Sequence, residues 1–124
     1  MKMTKKMKEL NIQDVILNDL DKLLKAKSQH NGLNINDVVE IGAYVGASVL
    51  RQRFKSTQKI NDKEINGVFG VIGNFYVQSF KNNFSQIEFD RMLKRSLELL
   101  QTPSFDQDCL VFFDKILGLT PNNK

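Results

Sequence analysis

Histidine, cysteine and paired carboxylates are the side chains that most often carry chemistry, and this chain offers few of them in workable company. His30 is the only histidine, set in Ser28-Gln29-His30-Asn31-Gly32, a stretch that reads as a helix stop and turn. It cannot contribute to a two-histidine metal site, because there is no second histidine. Cys109 is the sole cysteine, so no disulfide forms within the chain and no thiolate zinc cluster can be built. It falls between Phe105 and Phe112 on the apolar face of a helix, where a thiol behaves as a small, inert hydrophobe. Asp14, Asp19, Asp21, Asp106, Asp108 and Asp114 fall mostly at helix starts or polar positions. None is paired inside an apolar pocket, as general acid–base work requires. The expectation is a non-enzymatic protein with no catalytic residue, metal or cofactor.

Glycine is the residue type whose spacing is most informative. Gly67, Gly70 and Gly73 recur among Val68, Phe69, Val71, Ile72, Phe75, Tyr76 and Val77 in the run 65–80, and Gly42 and Gly46 lie in the run 38–50 beside Ala43 and Ala47. Neither set follows a strand or carries the lysine of a phosphate-cradling loop. Gly42-Ala-Tyr-Val-Gly46 has the G-x-x-x-G spacing used for tight helix pairing. Residues three and four apart share a helix face, so each run presents a stripe of small residues. Each glycine costs about 1 kcal/mol relative to Ala inside a helix, and close approach between helices is the compensation expected. Gly42, Gly46, Gly67, Gly70 and Gly73 are therefore read as helix-packing or interface positions, with Val71, Phe75 and Val77 as apolar interface beside them.

Two clusters of cations stand out. One is Lys2, Lys5, Lys6 and Lys8; the other is Arg51, Arg53, Lys55 and Lys59. The second follows a segment that resembles the front half of a helix-turn-helix, with Ile41 and Val45 apolar and Gly46 at the turn. Gln52 and Lys55 then stand where apolar residues should seat a second helix, so one continuous helix accounts better for the segment. A looser reading keeps Arg51, Arg53, Lys55 and Lys59 as phosphate contacts that do not read sequence. A third reading has Tyr44, Phe69, Phe75, Tyr76 and Phe80 lining an apolar ligand pocket.

The elements that must position these residues are helices; the β-branched and aromatic content of 65–80 would also suit a strand followed by a glycine turn, but its length and the upstream capping box favour helix. The chain has 124 residues, 41% hydrophobic and 26% charged, with a net charge of +4, as expected of one globular domain with a real core. Thr4 caps a short basic turn reaching Leu10, and a loose tail covers 120–124. Asn11 and Asp14 open an amphipathic helix carrying Ile12, Val15, Ile16, Leu20, Leu23 and Leu24. Asn34 or Asn36 caps the next, which runs to about Lys55. Asn61 with Glu64, Ser85 with Glu88, and Ser104 with Gln107 have capping-box spacing. Gly118 followed by Pro121 closes the last helix. The fold class expected is all-α, a single-domain bundle of about five helices over 1–124. The helices starting near Asn36 and Asn61 are apolar almost all round, so both are placed at the centre, antiparallel and packed through their small-residue faces.

No apolar run reaches the ~20 residues needed to span a bilayer, and no signal peptide is recognisable. The chain is read as cytoplasmic. Lysine- and asparagine-rich usage suggests a bacterial or phage source. The function expected is protein–protein interaction of the adaptor, regulator or inhibitor type, with another protein or itself as partner, a homodimer being the simplest case. The alternative is a nucleic-acid-associated regulator using the Arg51–Lys59 patch.

Overall fold

A computed structural model describes residues 12–53 and 62–118. Five α-helices follow one another: α1 (Ile12–Asn31), α2 (Ile35–Arg53), α3 (Asp62–Phe80), α4 (Gln86–Leu100) and α5 (Phe105–Leu117), with a 3₁₀ turn at Lys81–Asn83 between α3 and α4. There is no strand among the described residues, and the fold is the all-α bundle the periodicity predicts. The basic N-terminal turn, the Asn61 cap and the C-terminal tail lie outside the described residues.

Local chemistry sets several boundaries. Gly32 and Gly118 adopt φ of 80° and 75°, the left-handed region that glycine enters without a Cβ penalty. The first turns the chain between α1 and α2, and the second ends α5. Asn34, rather than Asn36, caps α2: its Oδ1 accepts from the Asp37 N–H at 3.0 Å, while Asp37 Oδ2 accepts from the Asn34 N–H at 3.1 Å. Ser85 and Glu88 form the expected box at α4, the Ser85 N–H donating to Glu88 Oε1 at 2.9 Å. The Ser85 hydroxyl also donates to that oxygen, and this bond, with the backbone one, holds the Glu88 carboxyl below the usual range. At α5 the expected Ser104–Gln107 box is replaced. Ser104 Oγ donates to Asp108 Oδ2 at 2.8 Å, because its φ and ψ of −92° and 16° differ from the extended backbone that a capping serine adopts.

The core centres on α2. From Ile41 to Ala47 every residue is buried, with Val38, Val39, Val49 and Leu50 on either side. Its most intimate neighbour is α4. Three contacts ascend both helices together: Arg91 Nη2 to Asn36 Oδ1 at 2.9 Å, Arg95 Nε to both Glu40 oxygens at 3.1 and 3.3 Å, and buried Ser96 Oγ to the Ala43 carbonyl at 3.0 Å. The two helices therefore run parallel. Ala43 opposite Ser96 supplies the small side chains that close approach needs.

α3 packs antiparallel to α2, since Gly42 meets Tyr76 and Gly46 meets Phe69. Two expectations are corrected here. First, α3 is not central: it buries Val68, Phe69, Ile72, Gly73 and Tyr76 and leaves its opposite face to solvent. Second, the α2 and α3 stripes do not meet each other. Gly42 and Gly46 are notches filled by large side chains. A Cβ at Gly46 would lie 2.6 Å from Phe69 Cε1, and one at Gly42 would lie 2.9 Å from Tyr76 Cε2 and collide with Met92 Sδ. Glycine adds no apolar area of its own, so counting it as apolar exaggerated what α3 has to bury.

Candidate interaction surface

The outward line of α3 runs through Lys63, Asn66, Gly67, Gly70, Asn74, Val77 and Gln78, all exposed and spaced three or four apart as one helix face requires. In a chain with 26% charged residues, no charge occurs from Ile65 to Phe80. The face is closed at its ends by Lys63 and Lys81. A Cβ added at Gly67 or Gly70 would meet nothing within 4 Å. Among the described residues nothing packs against these two glycines, so of the two roles expected for them the helix-packing one has no partner there. Gly73 does have one, because its Cβ would lie 2.8 Å from Phe89 Cε1.

Gly70 and Asn74 form a low ridge with a cleft on each side. Toward α1, a cleft of about 500 Å³ is walled by Leu17, Gly67, half-buried Val71 and half-buried Phe75. Toward the start of α4, one of about 350 Å³ is walled by Val77, Phe84 and Phe89. Val77 is 52% exposed, and Ile87, in the first turn of α4, is 68% exposed. Gln78 Nε2 approaches Asn74 Oδ1 at 3.5 Å, so the polar groups of the face are neutral amides. Uncharged, partly apolar and poor in side-chain bulk, the surface suits close approach by a second backbone. Interface cores are likewise depleted in charge.

The other predicted groups are placed as follows. Arg51 makes a surface ion pair: its Nε donates to Asp106 Oδ1 at 3.3 Å and its guanidinium lies 5.7 Å from the centroid of the Phe105 ring. The Arg53 side chain, Lys55 and Lys59 lie outside the described residues, so of the basic patch only Arg51 is described. α2 runs unbroken through Gly46, which removes the helix-turn-helix. The aromatic pocket is not formed either. Tyr76 packs against Phe75, Phe80 and Phe84 with ring centroids 6.0, 5.5 and 5.1 Å away. Tyr44 lies in a separate cluster, stacked on Phe112 at 3.9 Å.

Cys109 is buried, and that burial pushes its thiol up to about 11, against a smaller opposing effect of a hydrogen bond with Ser48. A thiol so protonated is a poor nucleophile. Burial likewise carries the Tyr76 hydroxyl far above the usual phenol range, and that hydroxyl has no hydrogen-bond partner among the described residues. No three His, Cys, Asp or Glu side chains converge as a metal site among the described residues. No described helix is long and apolar enough to cross a membrane.

Sequence reasoning missed the Glu40–Arg95 pair and the Tyr44–Phe112 stack. Both join residues far apart in the chain, and no local spacing announces them. Compared with protein-family models, with curated proteins and with solved structures, the chain matches none.

Proposed function

We propose that this protein is a non-enzymatic helical binding module whose outer α3 face docks another protein, a second copy of the chain being the first occupant to test. One observation carries the reading: Gly67 and Gly70 weaken α3 by about 1 kcal/mol each relative to Ala, and no neighbour within the described residues needs the space they leave. A partner backbone seated on this bare helix face would supply the compensation. The absence of charge from 65 to 80 supports the same surface. The nucleic-acid alternative has less support, since Arg51 is already engaged with Asp106.

Gly70→Leu is the test. The side chain enters open space, so the fold should survive, while a partner seated on the ridge is displaced. Size exclusion with light scattering should show the wild-type chain as a dimer and the variant as a monomer. A wild-type chain that stays monomeric, with outer α3 amide resonances that do not move as its concentration is raised, would sink this self-association reading.

A further inference from the structure

A cleft on the far side of α2 is independent of the α3 face. It opens where α1, α2 and α5 meet and has a volume of about 210 Å³. Its apolar wall is Ile41 from α2 with Phe112 and Ile116 from α5. Phe112 is held in place by the Tyr44 stack behind it. Four charged residues stand around this wall, and their partners separate them into two kinds.

Both carboxylates are already engaged. Asp37 accepts the Asn34 N–H in the α2 cap, and Glu40 directs both oxygens to Arg95. Both lysines, Lys27 from α1 and Lys115 from α5, line the cleft, and neither ammonium group has a hydrogen bond or ion pair among the described residues. The cleft lining holds two cations and two carboxylates, and Arg95, from outside the lining, offsets the Glu40 charge. An apolar wall beside two unpaired ammonium groups from different helices complements a molecule with one apolar end and one anionic end.

We infer that this cleft binds a small amphipathic carboxylate, its hydrocarbon against Ile41, Phe112 and Ile116 and its carboxylate between Lys27 and Lys115. Size sets the class. A dry cavity of about 150 Å³ holds a benzene ring, so this one accommodates a single ring with a short acidic side chain or an aliphatic acid of similar bulk. Pairing with ammonium groups at a partly shielded site strengthens the charged hydrogen bonds that fix the acid end.

The test uses the full chain with 3-phenylpropanoate as probe and its neutral isostere, 3-phenylpropanamide, as control. Methyl resonances of Ile41 and Ile116 should shift saturably with the acid. The amide should bind at least about tenfold more weakly, and so should the acid to the Lys27→Gln/Lys115→Gln variant. Neither ammonium group has a partner among the described residues, so that variant should keep the wild-type unfolding midpoint. Absence of methyl shifts at millimolar acid overturns the inference. So does equal binding of acid and amide, or undiminished binding in the double variant, because each removes the anionic half of the recognition.

Discussion

Helices α2 and α3 are 19 residues each and both carry glycines at helical spacing, yet they use them oppositely. In α2 the missing side chains are occupied from within, Gly46 by Phe69 and Gly42 by Tyr76 and Met92. In α3, Gly67 and Gly70 face outward with nothing opposite them among the described residues. A glycine filled by a neighbour's ring contributes to the core. A glycine facing solvent only weakens its own helix, unless something outside the molecule comes close to it. The same spacing therefore marks internal packing in one helix and a free surface in the other.

The comparison breaks first at Phe69. Phe69→Ala empties the Gly46 notch and should cost about 3–5 kcal/mol in urea unfolding. Gly46→Ala, which crowds the same ring, should cost about 1–3 kcal/mol. Because the two changes share one space, the double variant should be less unstable than their sum, a coupling of about 0.5–3 kcal/mol. Strict additivity would mean that the ring does not occupy the notch.

Gly67→Ala and Gly70→Ala reverse the sign. With open space at both sites, each should raise monomer stability by about 0.4–1 kcal/mol, read as a higher unfolding midpoint. Destabilisation by either would show that α3's outer face is covered within the chain. Tyr76→Phe sharpens the Gly42 side. Its hydroxyl is buried without a partner among the described residues, so its removal should be neutral or raise stability by about 1 kcal/mol. A loss of that size would instead reveal a bond to the hydroxyl.

The last effect is confined to alkaline pH. The Cys109 thiol titrates near 9 when free of the fold and at about 11 within it. The folded state thus keeps its proton longer. The associated stability is complete below pH 9 and is lost as pH rises through 11. Cys109→Ala should therefore unfold with a shallower decline across that window than the wild-type chain. Parallel declines would place the thiol in water.

Much of this was legible in the residues. Apolar periodicity and caps gave the helices from Ile12, Asn34 and Ser85, because those signals act within a few residues. The fate of the glycines was not read from their spacing, since a residue without a side chain does not reveal which way it faces. Their companions do. Gly42 and Gly46 share their face with Val38, Val39, Val49 and Leu50, whereas Gly67 and Gly70 share theirs with Lys63, Asn66, Asn74 and Gln78. Grouping each glycine with its neighbours three and four away separates an inner from an outer stripe. The Ser104–Gln107 spacing misled because capping depends on a backbone angle that no spacing encodes. The α1–α2–α5 cleft was invisible for another reason: its walls come from three distant segments.

The enclosure of α2 has a kinetic consequence. Amides in a helix covered on every side exchange with solvent only when the whole domain opens, while those of a one-sided helix are also released by local fraying. In deuterium exchange, the amides around Ala43 and Val45 should open at the full unfolding free energy and set the slowest clock in the molecule. Those on the outer line of α3 should exchange earlier and change their rate when that face is occupied, so that α2 serves as the internal reference against which occupancy of α3 is timed.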